Sequence, residues 1–459
     1  MTENANVHTP QELAKKEKGG AIFKTLLLVA IPIVLGNILE SVTEIVDMHF
    51  IGTLGQTVMA GGSAATSVTA LMLTFILGVG IAVSAYVSRA HGMGDHKLVG
   101  AVVSHAFIMA IILAVILAVV GTIFTDQIMI TMTQGNAETA AYGAAYLHPM
   151  FLSVFILAVL FIMTCAFQGI GKPMVPMLVL VGVNIVNAIL NPLLINGFGI
   201  AGSAYATIIA RGLGAAAMVA LMYMLPGAKK AGLRFARPFK WSGKLIGGLS
   251  TVALPSAIQG CIRNFGLMIM TALVAFFGTA AVAAYGVCTR TDMIALMIAM
   301  GISQAVCVLV GQSLGEGRVD KAVRIVRYAG ILNVVIMGII AIIYITAAPA
   351  ILSFFGATGE ALSIGLIWMS LVPLASILMS VAFTFGFAMN GAGMTWPGMI
   401  GAIIGQVVIP IAINVLAIAN GWPIATVFIG VCIGIVANFI FDFSFYKSGI
   451  WKRHNLKGA

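Results

Sequence analysis

The chain has 459 residues, 61% of them hydrophobic and only 8% charged. Soluble domains carry about 25% charged residues, so this composition excludes a soluble enzyme. The net charge of +10 does not signal nucleic acid, because the basic residues gather between apolar runs, as they do on the cytoplasmic side of membrane proteins.

In chain order, residues 1–22 are polar and read as a cytoplasmic tail, with no small-residue cleavage site behind a short apolar core. Twelve apolar runs follow, each long enough to cross a bilayer: 23–50, 58–87, 99–122, 140–167, 174–196, 200–225, 246–275, 280–311, 325–348, 358–388, 396–418 and 422–445. They predict an N-lobe over 23–225, a basic cytoplasmic linker over 226–245, a C-lobe over 246–446 and a second cytoplasmic tail over 447–459. With the first residue inside, 21 of the 24 Lys and Arg side chains fall in cytoplasmic segments or the span ends beside them, from Lys15, Lys16 and Lys18 through Arg237 to Lys457. Only Arg211, Arg263 and Arg290 lie within spans. This bias requires an even number of spans and places both termini in the cytoplasm. The five cysteines all fall in spans without zinc or redox spacing, and read as small core residues.

The twelve spans divide into two sixes. Pro32 in AIPIVLG matches Pro255 in ALPSAIQG at an offset of 223; Gly55, Gly78, Gly92 and Gly94 match Gly278, Gly301, Gly315 and Gly317 at the same offset. QGIGKP at 168–173 matches NGAGMT at 390–395, slipped by one residue. Both halves begin on the same side, so the repeat is parallel and its pseudo-two-fold axis runs along the membrane normal. Two six-helix lobes around a cleft are transporter architecture, with substrate at the repeat interface and access alternating as the lobes rock. No G-x-x-x-x-G-K-[ST] loop is present to bind ATP, and no TVGYG-like filter or H-E-x-x-H pair occurs, so an ion gradient is the expected energy source.

Span 1 contains ILESVTEIVDMHF, with Glu40, Glu44 and Asp47 at i, i+4 and i+7 on one helix face. A carboxylate at the centre of a span costs about 2.5–3.5 kcal/mol or more, so such residues face a cavity and mark an ion or proton path. Adding 223 turns Glu40 into Arg263, Glu44 into Leu267 and Asp47 into Met270, so the acidic face belongs to the N-lobe alone. Span 5 brings Asn187 and Asn191, four apart, to the outer depth of Asp47; span 6 brings Thr207 there. One carboxylate, two amides and a hydroxyl make an oxygen site for a small hard cation such as Na+, unless the asparagines only bind helices together. Glu40 and Arg263 occupy equivalent positions across the axis. They can form a switch pair that closes in one access state, a static pair, or, with Arg263 alone, an anion site. Asp292, two residues from Arg290 in TRTDM, is a C-lobe acid without a clear counterpart.

These segments are specific enough to suggest a family. The chain resembles the multidrug and toxic compound extrusion family over nearly its whole length, through AIPIVLGNILESVTEIVDMHFIGTLG, GVGIAVSAYVSRAHGMGD, NPLLINGFGIAGSAYAT and AAYGVCTRTDMIALMIAMGISQAVCVLVGQSLGEG. The resemblance implies an all-α integral membrane fold of twelve transmembrane helices in two six-helix lobes, and export of organic cations against Na+ or H+. The family's D-x-x-F-x-G acid is matched by Asp47 in DMHFIG. Its fifth-helix N-x-x-x-D-P pattern reads N-A-I-L-N-P here, so Asn191 stands where the family has an Asp and Glu44 is the nearest replacement charge. Some members use acids in the seventh helix; this chain has Arg263, so coupling is expected in the N-lobe only.

The expectation is therefore a multi-pass, monomeric exporter of the inner membrane. It takes amphipathic organic cations as substrate and Na+ or H+ as coupling ion, with no other cofactor, no ATP and no nucleic acid. The alternative is a flippase for lipid-linked or other anionic metabolites, which Arg263 in the cleft would suit. A lipid-modifying enzyme would need an acid or metal cluster such as D-D-x-x-D, which the sequence does not contain.

Overall fold

The computed structural model of the protein describes residues 19–236, 238–454 and 456. Lys15, Lys16, Lys18, Arg237 and Lys457, and most of the 1–22 tail, lie outside the described residues. The first half comprises α1 (Gly19–Gly52), α2 (Gln56–Gly92), α3 (His96–Met132), α4 (Ala137–Leu152), α5 (Val154–Gly169), α6 (Met174–Phe198), α7 (Ile200–Met224) and the short α8 (Pro226–Lys230). The second comprises α9 (Gly243–Ala275), α10 (Thr279–Gly315), α11 (Val319–Thr346), the short α12 (Ala348–Phe354), α13 (Gly359–Gly391), α14 (Trp396–Ala402), a π-helical turn (Ile403–Val408), α15 (Ile409–Ala419) and α16 (Ala425–Ser448). Counting α4–α5 as one span and α14–α15 as another gives twelve apolar crossings among the described residues.

Two spans are less regular than their hydropathy predicts. The run 140–167 is broken at Ser153, where α4 and α5 meet at 55°. Pro149 cannot donate to the helix ladder and its ring crowds the preceding turn; the Ser153 hydroxyl then donates to the Met150 carbonyl at 3.0 Å, tying the corner. The run 396–418 widens into a π turn just before Pro410. Elsewhere the helices outrun the predicted spans. At 37 residues, α2, α3 and α10 are about 55 Å long against a hydrocarbon core of about 30 Å, so their ends stand clear of it.

The repeat is visible in the contacts themselves. Residues related by 223 can touch only on the symmetry axis, and three such pairs do. Cys307 Sγ donates to Ser84 Oγ at 4.0 Å, a Cβ on Gly311 would run into Ser88, and one on Gly315 would lie 3.0 Å from the Gly92 carbonyl carbon. The axis thus runs between α2 and α10, whose backbones approach over small residues. Off the axis, contacts come in exchanged pairs. Gly78 closes on Ala257 and its counterpart Gly301 on Val34; Asn264 Nδ2 donates to Thr74 Oγ1 at 3.1 Å, and Ser41 Oγ to Met297 Sδ at 3.0 Å.

The first helix of each half straddles the two. Ile22, Leu26, Val29, Ala30 and Ile33 of α1 are buried with α10, α11 and α13, whereas Ile51 joins the N-lobe core. In α9, Leu245, Leu249, Val252 and Ala253 are buried with N-lobe residues, whereas Met270 and Val274 join the C-lobe core. Pro32 and Pro255 sit where each helix passes from one lobe to the other.

Candidate functional site

Four of the five predicted coupling residues come together: Asn187, Asn191 and Thr207 close around Asp47. Asp47, Asn187, Asn191 and Thr207 are all at most 4% exposed. Asp47 Oδ1 accepts from Asn191 Nδ2 at 2.7 Å and from Asn187 Nδ2 at 3.1 Å; Thr207 Oγ1 donates to Asp47 Oδ2 at 2.7 Å. Asn187 Nδ2 also donates to Thr207 Oγ1 at 3.0 Å, which ties α6 to α7 beneath the carboxylate. One turn along, Thr43 Oγ1 donates to Asn184 Oδ1 at 2.9 Å and fixes α1 against α6. The 3.6-residue period puts Asn184, Asn187 and Asn191 on one face of α6, and that face is the one α1 covers.

The donor set suits a small hard cation. The two amides present their NH2 groups to Asp47, and Asn191 Oδ1 is buried with no hydrogen-bond partner among the described residues. An amide turned by half a rotation offers oxygen in place of NH2 with almost no change of shape. The same four side chains can therefore close on their own carboxylate or supply oxygens to an ion.

Glu40 and Glu44 do not join this cage. They line a cavity of about 360 Å³ between the two halves, together with Arg263, Gln259, Gln304, Gln406 and Asp442, and with Met297, Met300, Phe161, Phe383 and Phe387. The one-face spacing of the three acids is real, but the depth of the lobe separates them. Asp47 packs inside it and the other two face the cleft.

Arg211 bridges the two settings, although the sequence reading assigns it no role. Its Nη2 lies 2.8 Å from Glu40 Oε1, and its field also reaches Asp47, Tyr146 and Glu44. The Glu40–Arg263 pair considered above is absent in this arrangement, because Arg211 lies within the same lobe and reaches Glu40 first. Arg263 meets only Met300 Sδ, at 3.9 Å, with no carboxylate in ion-pair range among the described residues. One signal could have found Arg211: it falls one turn after Thr207, on the face that already held a predicted ligand.

Asp292 lies apart from the cavity. It accepts from Trp368 Nε1 at 2.8 Å, and Trp368 packs edge-on to Tyr285 and Phe428 at 5.3 and 5.0 Å. Arg290 is exposed on another face, as its two-residue separation requires. Asp442, which sequence reasoning passed over, is buried at the cavity wall.

Comparisons with known proteins agree with this architecture. The MatE family model matches residues 32–193 and again 255–416, reproducing the offset of 223. Probable multidrug resistance protein YoeA of Bacillus subtilis (strain 168) is 27% identical over 466 residues, covering 98% of this chain and 99% of that protein. Multidrug export protein MepA of Staphylococcus aureus (strain MRSA252) is 26% identical over 392 residues, covering 83% and 82%. A MOP superfamily transporter from Pyrococcus furiosus, described as having a binding pocket of reverse polarity, superposes with a TM-score of 0.86 at 20% identity, covering 95% of this chain and 98% of that one. A multidrug resistance MATE transporter of the MOP superfamily in an outward-facing conformation gives 0.85 at 19% identity, covering 96% and 100%. At these identities the structures establish the shared twelve-helix, two-lobe fold.

Proposed function

Because the chain belongs to the MatE family of transporters, we propose that it is a secondary active multidrug exporter, moving amphipathic, cationic small molecules by antiport against Na+ or H+. The observation that carries this reading is the pairing of a buried four-residue cation cage with a separate, mostly apolar cavity between the lobes. Coupling ion and substrate would occupy different places, with Arg211 in electrostatic reach of both.

The cycle follows from charge. With Asp47 ionised, Arg211 is shared between Asp47 on one side and Glu40 and Glu44 on the other, and the cavity wall keeps net negative character toward a cationic substrate. When Na+ or a proton neutralises Asp47, Arg211 is left to the two glutamates. The wall becomes less negative, and its hold on the cationic substrate weakens. Met297, Met300 and the phenylalanines supply a surface that repacks around different apolar bodies. Rocking of the two lobes against each other across the α2–α10 seam would exchange access between the two sides of a cell (inner) membrane, with both termini in the cytoplasm.

Reconstitution in liposomes loaded with a fluorescent organic cation tests this. A Na+ gradient or a pH gradient should drive movement in the wild type and not in Asp47→Asn. Arg263 in the cavity wall favours a second reading, a flippase for anionic lipid-linked molecules. Movement of a lipid-linked phosphate probe, with no cation movement under either gradient, would replace the export reading with that one.

A further inference from the structure

We propose that Asp442, Asn438 and Gln406 form a second binding subsite, in the C-lobe wall of the central cavity, that takes the protonated amine of the exported molecule. This rests on the export reading for the identity of the ligand and deepens it.

All three residues line the cavity. Asn438 Nδ2 donates to Asp442 Oδ2 at 2.8 Å, and Gln406 Nε2 donates to Asn438 Oδ1 at 3.3 Å. Each amide keeps a second N–H, but the remaining carboxylate oxygen of Asp442 receives no donor among the described residues. Asp442 is 5% exposed, and its Oδ1 is buried with no hydrogen bond and no basic partner among the described residues. An unpaired carboxylate oxygen in a span is expensive and calls for a cation or a hydrogen-bond donor.

Two further observations point the same way. Gly401 packs against the cluster: a Cβ there would lie 3.0 Å from both Asp442 Oδ1 and Asn438 Nδ2, so any side chain at this position would crowd the carboxylate. Gln406 is carried on the π turn Ile403–Val408, a local widening that costs helix regularity and recurs at functional sites.

The fold itself does not require this cluster, as the repeat demonstrates. Counting back 223 residues, Gln406 maps to Val183, Asn438 to Ala215 and Asp442 to Val219. A slip of one residue gives Gly214 and Met218 for the last two, and α7 carries no carboxylate at all. The same helix pairing is built from apolar residues in the other lobe.

The ligand class follows from the geometry. An unpaired carboxylate oxygen beside a mostly apolar cavity selects a molecule with a hydrophobic body and a positively charged N–H group. Dansylcadaverine has such a primary amine, and its N-acetyl derivative is neutral with nearly the same body. Binding of each to the full-length protein in detergent is read by dansyl fluorescence, for the wild type, Asp442→Asn and Gly401→Ala. Asp442→Asn should weaken dansylcadaverine at least tenfold and leave the acetylated compound unchanged. Gly401→Ala keeps the charge but crowds the carboxylate, and should weaken the amine as well. Equal binding of the amine to wild type and Asp442→Asn would overturn the subsite, as would equal loss of both compounds. If the wild type binds the amine through Asp442 but transports nothing under either gradient, the subsite stands and the export reading fails.

Discussion

The two lobes share one scaffold and differ in what they place on it. In the N-lobe, Asp47 of α1 accepts from Asn191 of α6; 223 residues later, Met270 of α9 accepts from Asn414 of α15 through Sδ, at 3.0 Å. The asparagine and its orientation are kept, and the carboxylate has become a thioether. Thr207 has no hydroxyl counterpart, since Gly430 and Val431 occupy that stretch of α16. The charge across the cleft is inverted too: Glu40 pairs with Arg211, while its counterpart Arg263 meets the Met300 sulfur and, among the described residues, no carboxylate. Helix packing therefore holds the geometry of the proposed ion site whether or not a carboxylate is present. A buried carboxylate is the costly addition, and this chain makes it at Asp47 in the N-lobe and at Asp292 and Asp442 in the C-lobe, at positions that are not equivalent.

The most drastic way to break the comparison is to stop the lobes moving. Ser84→Cys places a thiol next to Cys307 on the axis. Oxidation should link the two within one chain, seen as altered gel mobility. Transport should fall to background and return on reduction. Full transport by linked protein would show that the lobes do not separate there.

Next in size is the loss of the carboxylate. Asp47→Asn should weaken Na+ binding by about a hundredfold, roughly 3 kcal/mol, as measured by calorimetry. Met270→Asp is the reciprocal experiment. It inserts an acid opposite Asn414 without the hydroxyl, and should destabilise the protein by about 3 kcal/mol, read as a lower unfolding temperature in detergent. A second Na+ bound by that variant at unchanged stability would mean that scaffold alone makes the site. The smallest effect concerns the pair across the cleft. Because Glu40 is about a third exposed, Arg211→Gln should cost only about 1–2 kcal/mol, and Glu40→Gln in the same chain should recover most of it in a double-mutant cycle.

Much of this was legible in the sequence because the bilayer simplifies it. Span number follows from apolar length, the repeat from glycines and prolines at a fixed offset, and the Asp47 cage from polar residues that hydrocarbon would otherwise exclude. The bend at Ser153 was not legible, because a run of apolar residues has the same hydropathy whether straight or broken. Partner choice was also hidden. Equivalence across the axis suggested Arg263 for Glu40, but pairing is decided by which guanidinium lies on the neighbouring helix, and that is Arg211. Asp442 escaped because it stands alone in FDFSF, near a span end where an acid is commonplace.

The contacts on the axis have one more consequence. Were the two halves separate chains forming a dimer, residues 84, 88 and 92 would each face their own copy, and every substitution would count twice. Small side chains are the ones that fit against themselves, and Ser84, Ser88 and Gly92 still meet Cys307, Gly311 and Gly315 in that manner. Joined by a linker, the halves are released from identity. A symmetric dimer cannot hold an acid on one side and a thioether on the other; a fused chain can, and this one does.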